Sequence, residues 1–172
     1  MRSTTTTKWM ASPVIIRSRQ LNDLNALMLP LRLVPGDDLR HSLEQAVRNA
    51  ALPGAFVVSG IGSLRVAVLR YAGSQQTTRI ETDLELLSLA GSISCDGAHL
   101  HAVVADAQGR VLGGHLCHGS LVRTTAELLL AVMPATRPLK RRHDERTGFS
   151  ELVLDEGANE ANHLAPPQSR QP

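Results

Sequence analysis

The stretch His99 to Gly119, HLHAVVADAQGRVLGGHLCHG, decides how this chain is read. Two β-like runs, Leu100 to Asp106 and Arg110 to Cys117, flank Ala107, Gln108 and Gly109. Glycine at the third loop position suits the left-handed residue of a type I turn followed by a bulge. With Asp106 facing Arg110, His101 falls opposite His115 and His99 opposite Cys117. A loop of two or four residues would slip the pairing by one and undo that opposition. Side chains two apart on a strand share a face, and opposed pairs have Cβ atoms roughly 4.5–5.5 Å apart. The hairpin therefore gathers His99, His101 and His115 on one face, with Cys117 as a fourth candidate, while His118 points the other way.

Imidazole nitrogens and a thiolate are the donors zinc prefers, and three histidines leave a coordination position open. The cluster either holds such an ion or lines a polar groove. Cys117 is either a fourth ligand or a small buried hydrophobe. Gly113 and Gly114 mark a close backbone approach beside the histidines, or a plain bulge.

Outward from the hairpin, the chain reads as α+β: a mainly antiparallel sheet with one principal helix packed on it, in a single domain. Ala26 to Val34 reads as a strand whose Pro30 asks for an edge position or a bulge. Asp37 or Asp38 caps a helix in which Leu39, Leu43, Ala46, Val47 and Ala50 form one apolar face, ending before Pro53 and Gly54. Further β-like runs follow at Ala55–Ser59, Leu64–Tyr71, Arg79–Ile80, Leu84–Ile93 and Val122–Met133, with a last one from Glu151 to Leu154. Residues 134–148 read as a solvated basic loop. Residues 1–25 and 155–172 are expected as disordered tails around a domain at 26–154.

Composition narrows the function. The 172 residues contain only two Phe, one Tyr and one Trp, too few rings for a base-stacking platform on single-stranded nucleic acid. A net charge of +2 falls short of the basic stripe of a monomeric duplex binder. Arg137, Lys140, Arg141 and Arg142 are the candidates for phosphate contacts, or serve only to solvate a loop. Two cysteines make no disulfide framework, and no apolar run is long enough to span a bilayer, so a cytoplasmic protein without a membrane partner is expected. Enzymatic chemistry at a metal would need an acid or base nearby, for which Glu85, Glu127 and Asp106 are candidates; no motif fixes a reaction, and the catalytic residues stay unknown.

The runs LELLSLAGSIS (Leu84 to Ser94), DGAHLHAVVAD (Asp96 to Asp106), GRVLGGHL (Gly109 to Leu116) and TTAELLL (Thr124 to Leu130) resemble the PPC, or plant and prokaryote conserved, domain. LVPGDDL (Leu33 to Leu39) and SGIGSL (Ser59 to Leu64) share the resemblance. It implies an antiparallel α+β fold, a homotrimer, and in prokaryotic members a zinc site on histidines matching His99, His101 and His115. It also implies a DNA-associated, regulatory role, because plant members join the domain to an AT-hook and prokaryotic members are described as predicted DNA-binding proteins. An AT-hook enters the A·T minor groove through Arg-Gly-Arg, a tripeptide this sequence lacks. A metal-dependent hydrolase or lyase, or a small-molecule sensor, is the alternative.

Overall fold

The computed structural model describes residues 27–153; the tails expected at 1–25 and 155–172 lie outside the described residues. Chain order is β1 (Leu27–Leu33), α1 (Leu39–Asn49), β2 (Ala55–Arg70), β3 (Thr78–Ile80), β4 (Leu84–Ser94), β5 (Gly97–Asp106), β6 (Val111–Leu116), β7 (Leu121–Val132), β8 (Lys140–Asp144) and β9 (Phe149–Val153).

Helix α1 starts where Asp38 accepts a hydrogen bond from the amide of His41 at 3.0 Å, satisfying a first-turn donor. Asp37 instead closes the preceding turn by accepting from the Val34 amide. The helix buries Leu39, Leu43, Ala46 and Val47 against β4, β5 and β7. Glu44 lies in that same buried stripe, a charged residue where an apolar one is the norm.

The main sheet is antiparallel, in the order β1-β7-β2-β4-β5-β6, with β3 added to β2. Strand β1 lies at its edge and pairs with β7 straight through Pro30, the position a residue without an amide hydrogen can tolerate. Two runs expected separately, Ala55–Ser59 and Leu64–Tyr71, are one long strand, β2. Register shifts at Val57/Ser59, Gly62/Leu64 and Leu64/Val66 let it bend. The bend carries its last residues to β6, where Leu69 faces Leu116 and Arg70 faces His115. The sheet thereby wraps toward closure around a core of Leu33, Leu64, Leu69, Leu86, Leu89, Leu100, Leu116 and Leu130, all buried.

Strands β4 and β5 approach closely at Gly91, which has φ +137°. A Cβ there would lie 2.0 Å from the carbonyl oxygen of His99. Gly114 plays the same part across β6 and β2, since a Cβ on it would meet the Arg70 carbonyl at 2.8 Å. Both contacts flank the histidine cluster.

The expected basic loop at 134–148 holds only in part, since Lys140–Asp144 is a strand. Residues 140–153 form the β8–β9 hairpin, a separate two-stranded sheet, and the connection to it is pinned by buried Leu139, whose amide donates to the Pro53 carbonyl at 2.8 Å. The high charge of KRRHD disguises a strand whose supports, Ser92 and Asp96, lie far away in sequence.

Candidate metal centre

The hairpin forms as the loop chemistry requires. Gly109 adopts φ +73°, its amide donates to the Asp106 carbonyl at 2.9 Å, and Asp106 Oδ1 accepts from the amides of Gln108 and Arg110. The β5–β6 ladder then runs from Ala105 facing Val111 to His101 facing His115. Alternation on β5 puts His99 beside His101 on the exposed face. The three imidazole centroids are 5.0, 5.2 and 5.7 Å apart.

The Nε2 atoms of His99 and His101 approach to 3.1 Å. Two nitrogens on one tetrahedral zinc, at about 2.0–2.1 Å from the ion, are roughly 3.3 Å apart. His115 Nδ1 is buried and has no hydrogen-bond partner among the described residues. Ligand atoms of the three rings all lie within 4.8 Å of one another. Such a donor set fits a divalent ion.

Electrostatics favours the neutral form of His115 and His99. Burial, with the Arg40 guanidinium and His99 beside it, pushes His115 down to about 4. Burial also lowers His99, reinforced by His101 and Arg141. The unfolded chain takes up a proton at His115 near pH 6.5 and the folded chain only near pH 4, so the unfolded state binds more protons between them. Metal-free protein should lose stability as pH falls through that window. Denaturant midpoints at pH 7 and pH 4.5 should differ more for the wild type than for His115→Asn.

Cys117 does not join the cluster. The expected opposition to His99 fails because β6 leaves β5 after His115 and pairs with β2; the Cys117 amide donates to the Val68 carbonyl at 2.9 Å. His118 points away as expected, and its Nε2 lies 2.9 Å from Glu44 Oε2.

Residues that the sequence reading passed over hold the centre from behind. Arg40 reaches from α1 through the gap where β5 and β6 separate, donating to the carbonyls of Ala98 at 2.7 Å and Leu116 at 2.8 Å. Its Nη1 also lies 3.2 Å from His115 Nε2; a guanidinium can only donate, so that nitrogen accepts. Glu44 holds Arg40 at 3.0 Å and accepts from the Ala98 amide at 3.3 Å. Burial alone would raise Glu44, but the bonds from His118 and Arg40 leave it below the ordinary carboxylate value. Glu44→Ala should cost about 2–3 kcal/mol, less than the ~3–5 kcal/mol of a fully buried pair because His118 is half exposed. Chemical denaturation checks it. The signal was there to read: Arg40 and Glu44, one helical turn apart, interrupt an otherwise apolar face.

The other candidates lie apart. Asp106 is occupied in the hairpin turn, where it also binds Arg110 at 2.7 Å. Glu85 faces Ala105 at the far end of the β4–β5 ladder, and Glu127 is on β7, separated from β5 by β2 and β4. Of the proposed phosphate contacts, Arg137, Lys140 and Arg142 are exposed. Arg141 instead turns inward, donating to the Ser92 hydroxyl at 2.6 Å, with its amide on Asp96.

With this arrangement in view, residues 26–134 match the Plants and Prokaryotes Conserved (PCC) domain, also abbreviated PPC. The chain belongs to this family. Among curated proteins the PCC chain is similar to the Bifunctional protein GlmU of Synechococcus sp. (strain JA-3-3Ab), 46% identical over 129 residues, which is 75% of this chain and 21% of that protein. It thus spans about a fifth of the length of the curated relatives it matches. A hypothetical protein of Salmonella enterica is 37% identical with a TM-score of 0.71, covering 74% of this chain and 91% of that one. A metal-containing protein of Archaeoglobus fulgidus is 28% identical, TM-score 0.63, covering 73% and 92%. A candidate DNA-binding protein of Ralstonia eutropha is 28% identical, TM-score 0.63, covering 73% and 90%. Among the described residues, no helix of this PCC domain is long and apolar enough to cross a membrane.

Proposed function

We propose that this PCC domain, spanning residues 26–154, is a homotrimeric metal-binding module, with zinc on His99, His101 and His115, and that it serves a DNA-associated regulatory role in the cytoplasm. The observation that carries the metal reading is the packing of three imidazoles around one point, with ligand atoms of all three rings within 4.8 Å of one another. Imidazole donors suit zinc, and three of them leave one position for water or an outside ligand. The likeness to a metal-containing archaeal protein supports it. A bound ion would supply Lewis acidity at the open position; the chain's own part is to hold the three rings in register and to favour the neutral form of His99 and His115.

The trimer reading rests on the resemblance to the PPC domain, and association is supported by large apolar side chains exposed on adjacent strands: Val58 is 54% exposed, Ile61 53% and Leu87 49%. Exposed apolar side chains on neighbouring strands favour association. Sedimentation should give about three times the 18.5 kDa chain mass; a monomer would contradict the trimer.

Support for DNA is the likeness to the Ralstonia protein and the exposed cations Arg137, Lys140 and Arg142, which a trimer presents three times. Such binding has a steep salt dependence. Duplex affinity that is absent, or flat between about 50 and 200 mM salt, would remove the DNA role and favour a metal-dependent enzyme or a sensor, a reading for which the cleft beside the histidines speaks.

A further inference from the structure

Three guanidinium groups, those of Arg40, Arg70 and Arg141, line one cleft beside His99 and His115, and Phe149 of the β8–β9 hairpin lines it as well. Its volume of about 370 Å³ falls within the ~300–1,000 Å³ of small-molecule sites. Arg40 is already paired with Glu44, whereas among the described residues no carboxylate lies within ion-pair distance of the other two. Arg141 bonds to the neutral oxygens of Ser92 and Ser150, and its buried Nε has no partner among the described residues. Arg70 reaches only the Ser74 carbonyl, at 3.5 Å, and stands 6.0 Å over the Phe149 ring. Two acidic residues, Asp96 and Glu151, also line the cleft. Asp96 accepts from the Arg141 backbone, and neither makes an ion pair with Arg70 or Arg141 among the described residues.

Burial disfavours the charge on Arg141 more than Glu151 and Asp96, acting at longer range, favour it, and an anion in direct contact would offset the remaining cost. Guanidinium groups match the planar geometry of carboxylates and the oxygens of phosphates. The pairing of Arg70 with His115 sets its side chain on the same face as the imidazoles. The hairpin wall lies beyond residues 26–134, the stretch that matches the domain.

We propose that the cleft binds a small organic acid, a carboxylate or a phosphate ester, with its oxyanion gripped by Arg70 and Arg141 and its remainder packed on Phe149. The site rests on the metal reading only in that an ion on the histidines would strengthen the grip; the two guanidinium groups stand without it. Groups recessed in a cleft suit a ligand that enters it, whereas a duplex needs cations on the open surface.

The test is calorimetric titration of the full chain with phenyl phosphate and with benzoate, in zinc-loaded and metal-free forms, with zinc measured on the same samples. Saturable binding by either probe, weakened at least tenfold in Arg70→Gln while zinc content and thermal midpoint hold, is the expected result. Arg141→Gln should weaken it similarly, but because Arg141 also anchors the hairpin, Arg70→Gln is the deciding variant. No saturable binding by a zinc-containing wild type would overturn the anion site and leave the metal reading standing. Binding by a protein that takes no zinc would support the anion site and overturn the metal reading alone. Arg70-dependent binding of a DNA duplex, with neither small probe bound, would assign these groups to nucleic acid and overturn the proposal.

Discussion

Replacing His101 with alanine should weaken zinc binding by more than a hundred-fold. His101 is the hinge of the cluster: it faces His115 across the β5–β6 ladder and lies two residues from His99 on the same face. Loss of a residue that merely supports a ligand costs ~10–100-fold in metal affinity, and His101 is itself one of three nitrogen donors in the proposed site. Competition with a chromophoric chelator measures the change. An affinity within a few-fold of the wild type would mean that the ion, if bound, sits elsewhere. The described residues offer one other grouping of this kind, His41, Glu44 and His118, where Glu44 is already held by Arg40.

Gly91→Ala should destabilise the protein by about 3–5 kcal/mol, combining backbone strain at positive φ with an overpacked contact. The added carbon would lie 2.0 Å from the His99 carbonyl and 2.9 Å from Leu100 Cα, backbone atoms that cannot swing aside. Relief requires β4 and β5 to part at the residue that carries the first imidazole. The thermal midpoint should therefore fall on the order of 10 °C, and zinc affinity should fall with it. A midpoint within a degree or two of the wild type would show that the two strands are not so tightly apposed.

The centre was legible where local chemistry settled the geometry. Gly109 can take the left-handed turn position, so the loop length and the facing of His101 and His115 could be read from one short stretch. Asp38, Pro30 and the apolar stripe of α1 were legible for the same reason: each rests on residues within a turn or a strand. What escaped the reading depended on partners far along the chain. Cys117 misses His99 because β6 turns to β2, a pairing between residues some 47 positions apart. Arg40 meets His115 across 75 positions, and Arg141 meets Ser92 across 49. The β8–β9 hairpin carries so many charges that its alternation does not look like a strand, and only contact with the sheet makes Arg141 an inward residue. The exposed cations Arg137, Lys140 and Arg142 keep the surface role the sequence suggested for them; Arg141 takes another.

X-ray absorption at the zinc edge, on protein loaded with one zinc per chain, decides whether three histidines hold the ion. The expected first shell contains nitrogen and oxygen scatterers only, at about 2.0–2.1 Å, with the multiple-scattering pattern of imidazole rings, and that pattern is lost in His101→Ala. A sulfur scatterer at about 2.3 Å would bring Cys117 or Cys95 into the shell and contradict the three-histidine centre, as would a wild-type protein that takes up no zinc.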